Sequence, residues 1–307
     1  MGDIVINTSS FFTRLTKNTW VATEERGGWC VSNIGLIDGA DSSLLVDTPA
    51  TLRRMRRVLS EVKGLGASMI KYAANTHAHG DHTFGNCLLP DECEIYGTPQ
   101  TRHECLRNGT NLTALWPDVD WGEIVVRPPT SLVDTKTVVH LGGVSVELIN
   151  AGAGHTKGDL LVLIPEDSVL FAGDLVMNRT TPFYLFGDIV ASRSTLEFIL
   201  DLHPDFIVPG HGPMLPGVRG VLEGLEYLNW LQSSIDFAID SDMDDEQIVQ
   251  FCANSPFCCW AEPERSVANI LVGMTALGAR DNKDLEWSRL SKLMAASIGQ
   301  ETLTCHA

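Results

Sequence analysis

The chain has 307 residues, 44% of them hydrophobic and 20% charged, so it is long enough to bury a large core and has an ordinary globular composition. Its formal net charge of -17 disfavours nucleic acid and anionic membranes as main partners. The eight cysteines contain no CxxC pair, which excludes the usual zinc-finger and thioredoxin patterns and predicts reduced thiols in a cytoplasmic protein. Residues 1–12 lack a basic region followed by an apolar core, so we expect no signal peptide.

Short strands and turns dominate the first part of the chain. Residues 32–48 contain two apolar runs joined at Asp38-Gly39, which predicts a hairpin. Residues 51–66 predict a helix that ends at glycine, and residues 67–76 predict a strand that delivers His77 at its end. The next predicted elements are a strand and then a helix, over 93–98 and 99–109.

The pattern partly repeats further along. Residues 137–152 and 159–174 each predict a hairpin, and 193–212 predicts a helix, a strand and a glycine-rich loop. Beyond residue 214 the signals are helical, including 244–253 and 265–278. Strands followed by helices in two related halves predict an α/β fold with two sheets packed face to face and helices outside. We expect a core over 1–214 and an appended helical portion over 215–307, in one compact unit.

The segment HAHGDH, residues 77–82, carries three of the nine histidines. Two imidazoles two residues apart on an extended segment point the same way, so His77 and His79 can share one ion. Asp81 and His82 can then reach a second ion beside the first. A polar surface loop that is rich in histidine by chance is the alternative, and the spacing at a strand end disfavours it.

Three further residues of metal-ligating type stand at predicted strand ends, each beside a glycine: His155, Asp174 and His211. Each alone is a weak signal, but together they complete two sites. The first would hold one ion with His77, His79 and His155, and the second with Asp81, His82 and His211. Asp174 would bridge the two ions. Four histidines lack such settings and are expected to be structural or on the surface: His103, His140, His203 and His306.

These motifs, with LLVDT upstream, resemble the metallo-β-lactamase superfamily, in the order that this family has them between Asp47 and His211. The resemblance implies an αββα sandwich with a dinuclear site, usually two Zn²⁺, with Fe or Mn possible. It also implies that Asp47 is a buried carboxylate that steadies the metal loop; capping a turn before Pro49 is the alternative. Enzymes of the family that hydrolyse β-lactams usually carry cysteine or serine where Asp174 stands, so aspartate favours the wider hydrolase branch.

Further segments, among them GGWCVSNIGLI, TPFYLFGDIV and LTCHA, are similar to the second-ring cyclases of actinorhodin-type aromatic polyketide pathways. That similarity implies a metal-dependent thioesterase and cyclase acting on an aromatic intermediate carried by acyl carrier protein. Two ions would lower the pKa of a bridging water, and the resulting hydroxide would attack the thioester. Asp81 and Asp174 would be the catalytic carboxylates, and either the hydroxide or a carboxylate could take the proton during ring closure.

A flat, apolar substrate requires aromatic walls. Phe183, Tyr184 and Phe186 follow closely after Asp174 and are predicted to form one, while the tryptophans Trp29, Trp116 and Trp121 fit a wall or the core equally. Carrier proteins are acidic, so docking requires a basic patch on this acidic chain, and the basic cluster at RRMRR is the candidate. The alternative is that this cluster is only a solvated helix face. That cluster consists of Arg53, Arg54, Arg56 and Arg57.

Two other functions stay open at this point. One is a generic hydrolase of small molecules, such as a lactonase or a glyoxalase-type thioesterase. The other is a di-iron redox or sensor module without hydrolytic activity. The sequence leaves the metal, the polyketide, the enzyme's part in ring closure and a possible homo-oligomer undecided.

Overall fold

The computed structural model describes residues 11–307, so most of the segment that bears on a signal peptide lies outside the described residues. The described part of the chain forms twelve strands: β1 (Thr13–Arg14), β2 (Thr19–Ala22), β3 (Ile34–Asp38), β4 (Ser43–Val46), β5 (Ile70–Ala74), β6 (Glu94–Gly97), β7 (Ser131–Leu132), β8 (Lys136–His140), β9 (Ser145–Gly152), β10 (Asp159–Ile164), β11 (Val169–Met177) and β12 (Phe206–His211). Its helices are α1 (Leu52–Gly64), α2 (Gly80–Thr83), α3 (Pro99–Asn108), α4 (Ile189–Asp201), α5 (Arg219–Asp240), α6 (Asp245–Ala253), α7 (Arg265–Ala276) and α8 (Trp287–Ser297).

The strands form two sheets. The first has the order β1-β2-β3-β4-β5-β6-β7 and the second the order β12-β11-β10-β9-β8. Strands β4, β5 and β6 run parallel, and so do β11 and β12, whereas the hairpins β8-β9 and β10-β11 are antiparallel. Parallel neighbours bring their C-terminal ends to one edge, and this determines where the residues after them lie.

The alternation of side chains along β10 divides the core into two layers. Leu160, Val162 and Ile164 are fully buried in the apolar cluster between the two sheets. Leu161 and Leu163 point the opposite way, into the cluster that the second sheet shares with the C-terminal helices. A strand buried on both faces has a continuous apolar sequence, as DLLVLI has.

Helix α1 covers the outer face of the first sheet. The Thr51 side chain caps it by accepting a hydrogen bond from the Arg54 N–H, and its buried side chains are spaced three or four residues apart: Leu52, Met55, Val58 and Val62. Met55, Val58 and Val62 pack in the cluster that includes Leu36 and Leu45 of the sheet. Helices therefore lie outside both sheets, and the predicted αββα sandwich with additional C-terminal helices is confirmed.

The predicted elements agree with those observed, including the hairpin turns near Gly142 and Pro165. The acidic run at 240–246 leads into α6, where Asp244 forms a capping box with Gln247. None of the helices between residues 11 and 307 has the length and apolarity needed to cross a bilayer. The division at residue 214 stays a prediction.

Candidate metal centre

The loop after β5 forms a tight turn because its backbone groups are bonded within the loop. His82 N–H donates to the His79 carbonyl at 3.0 Å, and Asn75 Nδ2 donates to the His82 carbonyl at 2.7 Å. A Cβ at Gly80 would lie 2.5 Å from Phe84 Cζ, so this position has no room for a side chain. The turn brings His77, His79, Asp81 and His82 to one point at the edge of the sandwich.

Three imidazole nitrogens converge in the first ligand group. His79 Nδ1 lies 3.1 Å from His77 Nε2 and 3.0 Å from His155 Nε2. Two nitrogens that bind one zinc ion tetrahedrally at ~2.0–2.1 Å are separated by roughly 3.3 Å. The observed separations therefore fit one shared cation, as predicted from the HxH spacing and from His155 after β9.

The second ligand group contains one carboxylate and two imidazoles. His211 Nε2 lies 3.3 Å from Asp81 Oδ2 and 3.4 Å from His82 Nε2. His82 comes from the loop after β5, and His211 is the last residue of β12, so the two sheets each supply part of the group.

Asp174, in β11, contacts both groups. Its Oδ2 lies 3.3 Å from His155 Nε2 and 3.4 Å from His211 Nε2, and its Oδ1 lies 3.2 Å from His82 Nε2. A carboxylate placed between two sets of ligands can bind a cation on each side. All seven residues named from the sequence are thus brought together.

Asp47 orients the second group without belonging to it. The carboxylate accepts hydrogen bonds from Thr76 N at 2.7 Å and Thr76 Oγ1 at 2.8 Å, and its Oδ2 lies 2.8 Å from His82 Nδ1. Binding at Nδ1 leaves His82 Nε2 directed at the ligands. Asp47 has a φ of +61°, in the left-handed region, so the chain accepts a strained residue to place this carboxylate.

The electrostatics also fit bound cations. Burial lowers the pKa of all three imidazoles of the first group: that of His79 falls to about 4, that of His155 falls to about 3, and that of His77 is also lowered. The first group therefore consists of neutral imidazoles, the form that binds metal. For His211, burial is outweighed by Asp174 and Asp81, which raise its pKa to about 9. Asp174 Oδ1 is buried and lies 3.2 Å from His82 Nε2, but the two atoms do not form a hydrogen bond. Bound cations would neutralise these buried carboxylates and would give Asp174 Oδ1 a partner.

Gly210 provides the space that Asp174 requires. A Cβ at this position would lie 1.9 Å from Asp174 Oδ1 and 2.7 Å from Asp174 N. We expect Gly210→Ala to displace the carboxylate, reducing bound metal and lowering the melting temperature. Metal analysis and thermal unfolding measure both effects.

Gly64→Ala is the matched control, because nothing lies within 4 Å of a Cβ there and the residue is helical. It is expected to keep the metal and to gain up to about 1 kcal/mol of stability. Wild-type metal content and melting in Gly210→Ala would show that Asp174 does not need its observed position.

The predicted aromatic wall is only partly open. Phe186 is 50% exposed, and its ring centre lies 5.5 Å from that of His79. Phe183 and Tyr184 are buried; Phe183 packs edge-on against Phe186 and Trp29, at 6.2 and 5.3 Å. The tryptophans considered above, Trp29, Trp116 and Trp121, are also buried. Phe186 is therefore the best placed of these rings to contact a ligand at the centre, and the wall stays a prediction.

The four arginines of α1 differ in exposure. Arg53, Arg56 and Arg57 are exposed, whereas Arg54 forms an ion pair with Glu24 and donates to the Ser32 carbonyl at 3.2 Å. Arg54 is therefore occupied by internal contacts. The docking role stays a prediction and rests on the three exposed side chains.

Two features near the centre were not predicted. Asp159 accepts hydrogen bonds from Thr156 N and from Thr156 Oγ1, the latter at 2.6 Å, and so fixes the loop that carries His155. The motif GHTKGD contained this signal, because a carboxylate four residues after the histidine can close the turn. Arg265 forms a buried ion pair with Glu262, and its guanidinium lies 4.1 Å from the centre of the Trp29 ring. The ion pair joins residues three positions apart, a spacing that the sequence shows, whereas no local pattern identifies the contact between Arg265 and Trp29.

Comparison with known proteins agrees with this geometry. The profile of the Metallo-beta-lactamase superfamily matches residues 27–211, which include all seven ligands. The chain belongs to the metallo-beta-lactamase superfamily. The fold with these His/Asp groups implies a divalent metal, usually zinc.

Similar proteins of the superfamily have different names. The chain is 28% identical to a beta-lactamase-like protein 2 homolog of Caenorhabditis elegans over 61% of its length, and it spans 58% of that relative. It is 24% identical to a metallo-beta-lactamase type 2 of Bacillus cereus, over 68% of this chain and 78% of the relative. It is also 24% identical to the human acyl-coenzyme A thioesterase MBLAC2, over 59% of this chain and 72% of the relative. The crystal structure of DIM-1 metallo-beta-lactamase superposes with a TM-score of 0.58 at 20% identity, over 71% and 96% of the two chains, which supports the fold.

Proposed function

We propose that this protein is a dinuclear metal-dependent thioesterase that releases an aromatic polyketide from acyl carrier protein and assists closure of its second ring. The observation that carries the hydrolytic part is the pair of ligand groups joined by Asp174. A relative named as an acyl-coenzyme A thioesterase supports thioester chemistry. The aromatic and carrier parts rest on the sequence resemblance and on Phe186 beside the centre.

The residues fit hydrolysis of a thioester. Two divalent cations, when bound, supply a water of lowered pKa and polarise a carbonyl oxygen. Asp47 fixes the tautomer of His82, and Asp159 fixes the loop of His155, so the ligands are ordered before substrate arrives. A thiol leaves readily as thiolate, since its pKa is roughly 8.5, and so needs little help from a separate acid. All seven ligands belong to the two groups, so none of them is free to act as an acid. This arrangement suits a thiolate leaving group better than an amine, which must be protonated to leave.

Mass spectrometry of the carrier protein and of the released products tests the proposal. The metal-loaded enzyme is given a carrier-bound aromatic bicyclic intermediate under single-turnover conditions, with and without chelator. We expect free carrier thiol and a cyclised acid only without chelator. An intact thioester would contradict the proposal. Hydrolysis of simple lactones or glutathione thioesters in its place would identify a generic hydrolase, and iron without any hydrolysis would identify a redox module.

Docking on α1 predicts a substrate-dependent defect. We expect the double variant Arg53→Glu, Arg56→Glu to raise KM for a carrier-bound thioester by about tenfold or more, because opposite charges steer association. The same variant should leave KM for a short pantetheine thioester unchanged, since that substrate has no carrier to dock. Arg107→Glu on α3 is the control for a charge change elsewhere. Equal KM values for the carrier substrate in the variant and the wild type would contradict docking on α1.

A further inference from the structure

The last five described residues, 303–307, form a tail segment that packs against the loop around Trp29. Leu303 is buried, and its carbonyl accepts a hydrogen bond from Trp116 Nε1 at 3.1 Å. His306 N–H donates to the Trp29 carbonyl at 3.1 Å. Residues about 275 positions apart in sequence are therefore held side by side by backbone contacts.

Two thiols meet where the tail segment crosses this loop. Cys305 Sγ donates to the Trp29 carbonyl at 3.8 Å, and Cys30 is the next residue along the chain. The neighbouring Cys305 thiol raises the pKa of Cys30. Cys30 is buried in a left-handed conformation, with φ of +66°, whereas Cys305 is partly exposed and open to a small oxidant. A disulfide requires two cysteines whose backbones are already close, and this crossing holds Cys305 against the residue that precedes Cys30.

We propose that Cys30 and Cys305 form a reversible disulfide that fastens the tail segment to the loop beside the metal centre. The oxidant is hydrogen peroxide. The Cys305 thiolate attacks one peroxide oxygen and the O–O bond breaks, giving a sulfenic acid and hydroxide, which takes up the proton that the thiol had lost and leaves as water. The Cys30 thiol then displaces the second water as the S–S bond forms. Two electrons pass from the two thiols to the peroxide, and two waters leave.

The two thiols differ in burial and in pKa, and this difference determines their order of reaction. The Cys305 thiol raises the pKa of Cys30, which burial raises further, whereas the Cys30 thiol lowers the pKa of Cys305. Thiolate is the form that reacts with peroxide. Cys305, partly exposed and more acidic, therefore reacts with peroxide first, and the buried Cys30 resolves the sulfenic acid.

The disulfide would act on a cavity that Arg53 and Arg57, two of the arginines proposed for docking, also line. His306 and Ala307 line this cavity of about 600 Å³ together with Val31 and Arg54. Two residues after Cys30, Ser32 Oγ donates to the carbonyl of Asp81, one of the seven ligands. Fastening the tail segment would fix His306 and Ala307 in the wall of this cavity.

Peptide mapping tests for the bond in the full, metal-loaded protein. After treatment with hydrogen peroxide, free thiols are alkylated under denaturing conditions and the chain is cut with trypsin. Cleavage after Arg26, Arg53 and Lys292 places Cys30 in peptide 27–53 and Cys305 in peptide 293–307, each without another cysteine. We expect these two peptides to be cross-linked and two fewer of the eight cysteines to be alkylated. Dithiothreitol should restore both.

Matched variants make the assignment specific. Cys30→Ser and Cys305→Ser should each abolish the cross-linked peptide, and Cys258→Ser, which changes an exposed thiol, should leave it unchanged. Oxidation confined to Cys258 and Cys259, with Cys30 and Cys305 still alkylated, would overturn the proposal.

The effect on activity rests on the proposed thioesterase function, whereas the peptide map does not. We expect oxidation to raise KM at unchanged metal content, with no such change in Cys305→Ser. If the cross-link forms without altering KM, the disulfide exists but its proposed effect on activity is wrong. Absence of thioesterase activity from both redox forms would reject the proposed function alone.

Discussion

Asp174→Ala is expected to reduce thioester hydrolysis by at least about a hundredfold, since loss of a residue that merely supports a metal ligand already costs 10–100-fold. Asp174 is the one carboxylate among the described residues that contacts imidazoles of both groups. Its removal leaves two separate sites with no shared ligand. We expect the variant to retain its circular dichroism spectrum and to bind less than the wild-type amount of metal.

Asp205→Ala is a suitable control, because Asp205 is an exposed aspartate before β12, outside both ligand groups. It should retain wild-type turnover and metal. If Asp174→Ala turned over substrate at a near-normal rate with both metals bound, the bridging role would be wrong.

Asp47→Asn is expected to weaken the second group selectively. Asparagine tolerates the left-handed backbone at this position and keeps the size of the side chain. The asparagine oxygen should take the position that accepts the hydrogen bond from Thr76 N, which places the asparagine NH2 group next to His82 Nδ1. That NH2 group then donates a hydrogen bond, and His82 Nδ1 must accept it. The His82 proton moves to Nε2, the atom that faces Asp81, Asp174 and His211. An imidazole protonated at that nitrogen cannot bind metal there.

A competitive chelator titration measures the consequence. We expect the affinity for one of the two metals to fall by about 10–100-fold and the other to stay near wild type. Asp41→Asn, at an exposed aspartate, should change neither affinity. Two metals bound with wild-type affinity in Asp47→Asn would mean that the hydrogen bond to His82 is not needed for binding.

The ligands could be predicted from sequence because the relevant geometry is local. Each stands at or near the end of a strand, and parallel strands bring their C-terminal ends to one edge. The spacing of His77 and His79 directly indicates a shared ion. Two packed sheets with helices outside followed from strands and helices that recur in two related halves of the chain, and the αββα order followed from the family resemblance.

Contacts between distant parts of the chain could not be predicted in that way. The tail segment reaches Cys30 across the whole sequence, and neither residue lies in a periodic or spaced motif. Arg54 appeared as one of four equivalent arginines, yet its guanidinium is taken up by Glu24, a loop residue thirty positions away. Phe183 and Tyr184 follow Asp174 closely in sequence, but packing against Trp29 and a hydrogen bond from Tyr184 N to Asn269 hold them in the core. Such outcomes depend on tertiary packing, which short patterns do not encode.

A zinc titration of metal-free protein tests the central claim most directly. Initial rates of hydrolysis of a carrier-bound aromatic thioester are measured as zinc is added in steps. Two ligand groups sharing Asp174 predict that the rate rises to a maximum at two equivalents per chain. A rate that is already maximal at one equivalent, or a thioester that stays intact at any zinc content, would contradict a dinuclear thioesterase.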